Sequence, residues 1–415
     1  MNIEIIKNSL DKYTFSGYFG NKKKFTPYLF TSSFAALVLI NSKKNEIKKK
    51  KILKKYIEKV HSQLGLNVFN YRRLNNKISV NWFKNLSSND KKLINSATNG
   101  LDSLKGGLRI GKYEINQEPG IYLHYITRWV YTLIQSSLML EDKRYLYQAI
   151  NVMLTMCEKN INQDQFGFYY PKKMKIDLSK PIDYNEIQFD PLDVFTTLIN
   201  LIYRLNKSKK VKSTLKKNLV NAKKSKKERK KVEKIYLNLL EKFLEENYLR
   251  IQDFNMLYDL DPMNIGFLLI SIYKVRIIIE QIPVIEKKIP IFMLKHPNFP
   301  MSMITLYKHL LQIALEVLQN FEFTKEIENS NHSAAYRFLN ISIGLEAIQQ
   351  LIFLFKENLF KDEETLLLKI YDYYYIREDI HQNFNKIGNV QNNIDDNKDI
   401  NIIMYMYSQN PLFSF

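Results

Sequence analysis

The chain has 415 residues, 45% of them hydrophobic, with only 12 Gly and 11 Pro; this is globular, and too poor in turn formers for a β-sandwich or propeller of that length. Its net charge of +20 is local: Lys43–Lys55 carries +7 and Lys207–Lys234 carries +12, leaving the remainder at +1. The stretch Lys207–Lys231 contains no aromatic residue, whereas a nucleic-acid groove interleaves aromatics with its cations, so the runs read as solvated helix or surface insertion and no nucleic-acid partner is expected.

In chain order, Leu29–Ile40 is an apolar run of twelve residues behind Lys22–Lys24. It is too short to span a bilayer, it holds Thr31, Ser32 and Ser33, and no small-residue cleavage site follows it. It reads as a buried helix, and the expectation is a soluble cytoplasmic protein without a membrane partner. Thr31–Asn41 and Lys48–Gln63 are the first two predicted helices. Gly106–Lys112 lacks the spacing of a phosphate loop and no strand precedes it, so it reads as a tight chain entry. Within it, Arg109 could clamp a carboxylate or phosphate.

Tyr122–Leu140 repeats apolar residues at three- and four-residue steps, the period of a helix. Tyr122, Tyr125 and Trp129 share its face and offer flat apolar surfaces with polar edges, suited to a sugar ring or to a core. His124 lies about 100° off that stripe and Arg128 on its edge. Further helices are predicted at Leu146–Ile161, Pro191–Leu205, Ile235–Tyr248, Pro262–Glu280, Ser302–Phe321, Ala334–Lys356 and Glu363–Tyr375. Strand alternation is confined to Phe166–Tyr170 and Met174–Leu178, enough for one short hairpin. The single cysteine, Cys157, excludes an internal disulfide and reads as packing. Six histidines show no ligand-type spacing, so neither a metal nor a cofactor is expected.

Phe195–Ile202 and Ile265–Ile279 are apolar all round and must be buried on all sides, whereas Ile235–Tyr248 is amphipathic. Two similar pentapeptides open the buried helices: Phe189-Asp190-Pro191-Leu192-Asp193 and Leu260-Asp261-Pro262-Met263-Asn264. Asp before Pro is a helix N-cap pattern, and Asp193 sits where a capping-box partner belongs.

Gly106–Lys112, Tyr122–Trp129, Ile176–Pro181, the two Asp-Pro units and Asp399-Ile400-Asn401, in that order, resemble a mainly bacterial family of unassigned activity that is similar to six-hairpin glycosidases. The resemblance runs from about residue 100 to the C-terminus, with Phe15-Ser16-Gly17 the only trace before it. It implies an all-α chain folded as one (α/α)6 toroid of helical hairpins, residues 1–415, with the Lys-rich insertion at about 207–231. It also implies a carbohydrate-type cavity. The chain departs from the family at Phe189, where His is common, at Asn264 and Phe267, and in a shortened loop, Gln117-Glu118-Pro119-Gly120.

In such a ring the inner helices run in one direction, so carboxylates capping them face one mouth. Asp190, Asp193 and Asp261 are therefore the catalytic candidates for glycoside hydrolysis, which needs two carboxylates across the scissile bond. A capping carboxylate stays ionised, so the proton donor is expected elsewhere. Arg109, Tyr122, His124, Tyr125, Arg128, Trp129, Asp177 and Arg337 are the substrate-binding candidates, with Asp177 expected to pair with Arg109 or Arg128. The predicted ligand is a saccharide or another small molecule. A sugar epimerase with His124 or His332 as base, and a non-catalytic toroid, are the alternatives. The oligomeric state stays open.

Overall fold

A computed structural model describes residues 28–42, 45–66, 72–74, 78–99, 101–111, 120–160, 162–164, 167–186, 189–206, 219–252, 261–329, 335–355, 361–389 and 398–413. Phe15–Gly17, Gln117–Pro119, residues 207–218, His332 and the Asp399 side chain lie outside them. The described chain is mostly helical with a few short strands. It divides into two compact units, one of Met1–Asp253 with Val284–Phe292, the other of Phe254–Pro283 with Met293–Phe415.

The first unit holds helices α1 (Leu29–Asn41), α2 (Glu46–Leu64), α3 (Asn81–Lys84), α4 (Ser88–Ala97), α5 (Leu123–Leu140), α6 (Lys143–Asn160), α7 (Asp190–Asn206) and α8 (Leu219–Gln252). Every residue of α1 from Leu29 to Leu39 is buried, as its all-round apolar sequence requires. Each fully buried Leu or Phe there contributes about 1.5–3 kcal/mol. Amphipathic α2 follows: the Asn45 side chain accepts the Lys48 N–H at 3.2 Å, and Leu53, Tyr56, Ile57, Val60 and Leu64 form its buried stripe. The basic run has one structural task. Lys49 turns back and its Nζ donates to the Ser42 carbonyl at 2.6 Å and the Ile40 carbonyl at 3.3 Å, satisfying acceptors left open where α1 ends.

Helices α5 and α6 form an antiparallel pair, as do α7 and α8, and α5 also lies against α1 and α7. The Lys-rich stretch from Leu219 to Lys231 belongs to α8. Its described side chains before Val232 are mainly exposed, and the helix is then anchored by Val232, Tyr236, Leu240 and Leu244 at helical spacing.

Strand structure exceeds the single predicted hairpin. β1 (Gly120–Ile121), β4 (Pro171–Lys175) and β5 (Pro181–Glu186) form a three-stranded antiparallel sheet, and β2 (Asn162–Asp164) pairs with β3 (Gly167–Tyr169). Gly120 fits the β1–β4 crossing, because a Cβ there would come within 2.9 Å of the Met174 carbonyl. Two-residue β1 has no period to read, which is why the sequence hid it.

The second unit contains most of α9 (Pro262–Glu286), then α11 (Phe299–Asn320), α12 (Phe323–Asn329), α13 (Ala335–Phe355), α14 (Lys361–Tyr371), a 3₁₀ turn, α15 (Ile376–Asn389) and α16 (Lys398–Ser408); short α10 (Pro290–Lys295) comes between α9 and α11 in sequence. Two glycines bring α9 and α13 into backbone contact: a Cβ on Gly266 would lie 2.4 Å from the Asn340 carbonyl, and one on Gly344 2.7 Å from Leu269 Cβ. Asn340 Nδ2 donates to the Met263 carbonyl at 2.6 Å across the same contact. Buried Arg276 is paired: its Nε donates to Glu363 Oε1 at 2.6 Å, and the Tyr307 hydroxyl donates to the same oxygen at 2.9 Å. Helix α13 is long and apolar enough to cross a membrane, and 61% of its most apolar window is buried within the protein.

Candidate functional site

In the first unit, three helix starts meet at one end. The Tyr28 hydroxyl, one residue before α1, is hydrogen-bonded to the Tyr125 hydroxyl in the first turn of α5. Thr127, also on α5, donates its hydroxyl to Asp193 Oδ2 in the first turn of α7 at 2.5 Å. His124 Nδ1 lies 3.8 Å from Asp190 Oδ1. The N-terminal ends of α1, α5 and α7 are thereby held side by side, and two of the three sequence-predicted carboxylates come together with His124.

Asp190 behaves differently from the expected cap. The first helical bond of α7 runs from the Asp193 N–H to the Phe189 carbonyl, 2.9 Å. The Asp190 side chain is 1% exposed, and both its oxygens are without a hydrogen bond among the described residues. Burial raises its pKa above the ordinary carboxylate value; His124 and Arg128 oppose the shift and Asp193 adds to it. Burial of a carboxylate without a hydrogen-bond donor disfavours its charged form. The sequence expectation is an ionised cap with the proton donor elsewhere; here the carboxyl makes no capping bond among the described residues and its pKa is shifted upward.

Tyr122, His124 and Tyr125 form one aromatic cluster, with ring centres 4.4–5.4 Å apart. Tyr28 adds an edge-on contact with Tyr125 at 5.4 Å, and Lys173 Nζ sits 5.7 Å from the centre of Tyr122. Burial and the nearby Asp183 raise the Tyr122 pKa. Tyr122, His124, Tyr125 and Arg128 are only partly buried, which makes this the open side of the cluster.

Other predicted residues have structural tasks. Trp129 is fully buried, and its indole N–H donates to His61 Nε2 at 3.0 Å, so neither ring face is offered to a ligand. Arg109 is buried and spans the end of α2, with Nε donating to the Leu66 carbonyl at 2.8 Å and Nη2 to the Gln63 carbonyl at 3.2 Å. Asp177 pairs with neither arginine. It is exposed and accepts the N–H and hydroxyl of Ser179 at 3.0 and 2.6 Å, a local turn; partial burial opposes and these bonds drive a lowered pKa. Cys157 is buried, and burial raises its thiol pKa.

In the second unit Asp261 is a true N-cap: Oδ1 accepts the Met263 N–H at 2.8 Å, while Oδ2 pairs with Arg337 at the start of α13. Asn401 Oδ1 on α16 accepts the Tyr336 N–H at 2.8 Å. The starts of α9, α13 and α16 are thus tied together in turn. Tyr28 and Thr127 carry contacts that the sequence reading missed; a tyrosine just ahead of an apolar helix and a threonine one turn into another carry no spacing signal. Among the described residues, no group of three His, Cys, Asp or Glu side chains is placed to hold a metal ion.

Comparison with known proteins adds no relative. No protein family, curated protein or solved structure matches the chain.

Proposed function

We propose that the protein is a carbohydrate-active, glycosidase-like hydrolase built as an (α/α)6 toroid, with Asp190 as its proton donor. Glycoside cleavage needs a carboxyl that keeps its proton to neutral pH and a second carboxylate nearby. The observation that carries the reading is the Asp190 carboxyl, buried without a hydrogen-bond donor and facing His124. Asp193, one helical turn on, supplies the second carboxylate, and residues three apart on a helix stand about 5–6 Å apart at Cβ.

Tyr122, Tyr125 and Arg128 would bind the sugar from the open side. Asp261 and Arg337 form the corresponding carboxylate and cation at the helix starts of the second unit. The toroid is supported by the alternation of buried and amphipathic helices and by the shared starts of α1, α5 and α7 and of α9, α13 and α16.

One observation favours a second reading, a sugar epimerase. His124 is 15% exposed at its side chain against 1% for Asp190, so the carboxyl could orient the imidazole as a base that abstracts a substrate proton. The two are separated by following neutral oligosaccharides and free hexoses by proton NMR in heavy water. Hydrolysis yields new reducing ends and no exchange at carbon; epimerisation yields deuterium at the inverted centre and no cleavage. Whichever activity the wild type shows should be lost in Asp190→Asn, and absence of both from the wild type contradicts a carbohydrate-active enzyme.

A further inference from the structure

A cleft of about 630 Å³ opens in the first unit, between the end of α6, α3, the β3–β4 turn and the second half of α8. Its volume falls within the range of small-molecule sites, about 300–1,000 Å³. Trp82, Tyr169, Tyr170 and Phe243 supply aromatic walls. Trp82 and Tyr170 are fixed from behind: the Trp82 indole N–H donates to Thr155 Oγ1 at 3.2 Å, and the Tyr170 hydroxyl donates to Asn247. A rigid apolar surface of this kind suits a flat or ring-shaped ligand.

The charges around it decide the ligand's class. Two carboxylates, Glu158 and Glu246, and two cations, Lys242 and Arg250, line the cleft, so its formal charge balances. A cationic ligand would meet Lys242 and Arg250, and an anionic one both glutamates. The four groups are also not equally available. Glu158 accepts the N–H groups of Asn81 and Trp82 at 2.6 and 2.5 Å, and Arg250 lies 5.2 Å over the Tyr170 ring. Among the described residues, Lys242, one turn back on α8, acts on Glu246 against the burial and the neighbouring Glu245 charge that raise its pKa. Glu246 is the acceptor left facing the cleft.

We propose that this cleft is a second binding site for a neutral cyclic polyol, a saccharide ring that lies against Tyr169 and Phe243 and donates hydroxyls to Glu246. A neutral ring with apolar faces and hydroxyl edges matches balanced charge, aromatic walls and mixed donors and acceptors together. The site stands on its own lining and is separate from the Asp190 cluster.

Trp82 reports on it directly, since the chain has only two tryptophans and Trp129 is sealed in the core. The full chain would be labelled with 5-fluorotryptophan, with Trp82→Phe assigning the two fluorine resonances. Maltose, cellobiose and lactose would each be titrated into the millimolar range, with benzylammonium and benzoate as charged controls. A disaccharide should move the Trp82 resonance and leave that of Trp129 in place. Tyr169→Ala and Glu246→Gln should each weaken that binding about tenfold or more, with unchanged melting temperature showing that they fold. Asp190→Asn should leave the Trp82 response intact, so failure of the hydrolase reading and failure of this one are distinguishable. The proposal is overturned if no disaccharide moves Trp82, if a charged control moves it instead, or if both cleft variants bind like wild type.

Discussion

His124 Nδ1 faces Asp190 Oδ1 at 3.8 Å, across the starts of α5 and α7, and no described group hydrogen-bonds that carboxyl. The pair joins a partly exposed imidazole to a fully buried acid. Stability and chemistry then pull in opposite directions at Asp190.

Asp190→Asn should raise the melting temperature at neutral pH. The folded pKa is above the ordinary value of 3.8, so between the two values the native state holds more protons than the unfolded state. Stability therefore falls as pH rises through that window. A neutral amide removes the cost of ionisation, and each 1 kcal/mol recovered reads as about 2–4 °C. Melting curves from pH 3 to 8 check this: the gain should vanish below the unfolded pKa. A variant less stable than wild type at pH 7 would show that Asp190 is a supporting anion.

Thr127→Val should be costly for its size. It removes the 2.5 Å hydrogen bond to Asp193, leaving a carboxylate that is 7% exposed short of a donor, at about 1–3 kcal/mol. Thr127→Ser retains the hydroxyl and should recover most of the loss. Urea denaturation of the three proteins measures the difference.

His61 should make the fold acid-sensitive. Burial, aided by Arg73, pushes its pKa down to about 3 from 6.5, and its Nε2 accepts the Trp129 N–H. Between these values the unfolded state binds the extra proton, so stability is complete above pH 6.5 and is lost as pH falls toward 3. One such group contributes a slope of about 1.4 kcal/mol per pH unit. His61→Gln, which keeps an acceptor, should show a shallower fall in melting temperature between pH 6.5 and 4.5; an unchanged slope would exclude His61 as the source.

Gly266→Ala tests the α9–α13 contact. Helix propensity alone favours Ala by about 1 kcal/mol, but the added Cβ would lie 2.4 Å from the Asn340 backbone. Overpacking of that kind costs about 1–3 kcal/mol, so the net effect should be destabilising in chemical denaturation. A stabilised variant would mean that the helices can separate without loss.

The all-α class was legible because an apolar stretch as long as Ile265–Ile279 exceeds the usual length of a strand and reads as a buried helix. Asp190 and Asp193 were legible as helix-start carboxylates and His124 as part of the Tyr122–Trp129 block, but the approach of His124 to Asp190 was not legible. The upward pKa shift of Asp190 was not legible either: Asp-Pro at a helix start reads as an ionised cap, whereas this side chain lies beside His124 and makes no hydrogen bond among the described residues. Trp129 was misread for a related reason. Periodicity finds the stripe it belongs to, but whether a stripe faces a ligand or His61 depends on α2, some 70 residues earlier in the chain. The cleft beside Glu246 left no sequence signal, because its walls come from four separate segments.

The most direct test of the central claim is the pKa of the Asp190 carboxyl set against the pH dependence of turnover. Carboxyl carbon shifts of selectively labelled aspartate, assigned by Asp190→Asn, give the first; kcat/KM on a cleaved oligosaccharide gives the second. An Asp190 titration above the ordinary carboxylate value should coincide with the alkaline limb of the rate profile, and Asp190→Asn should abolish turnover while remaining folded. Titration of Asp190 at or below 3.8, or turnover preserved in Asp190→Asn, would contradict the account.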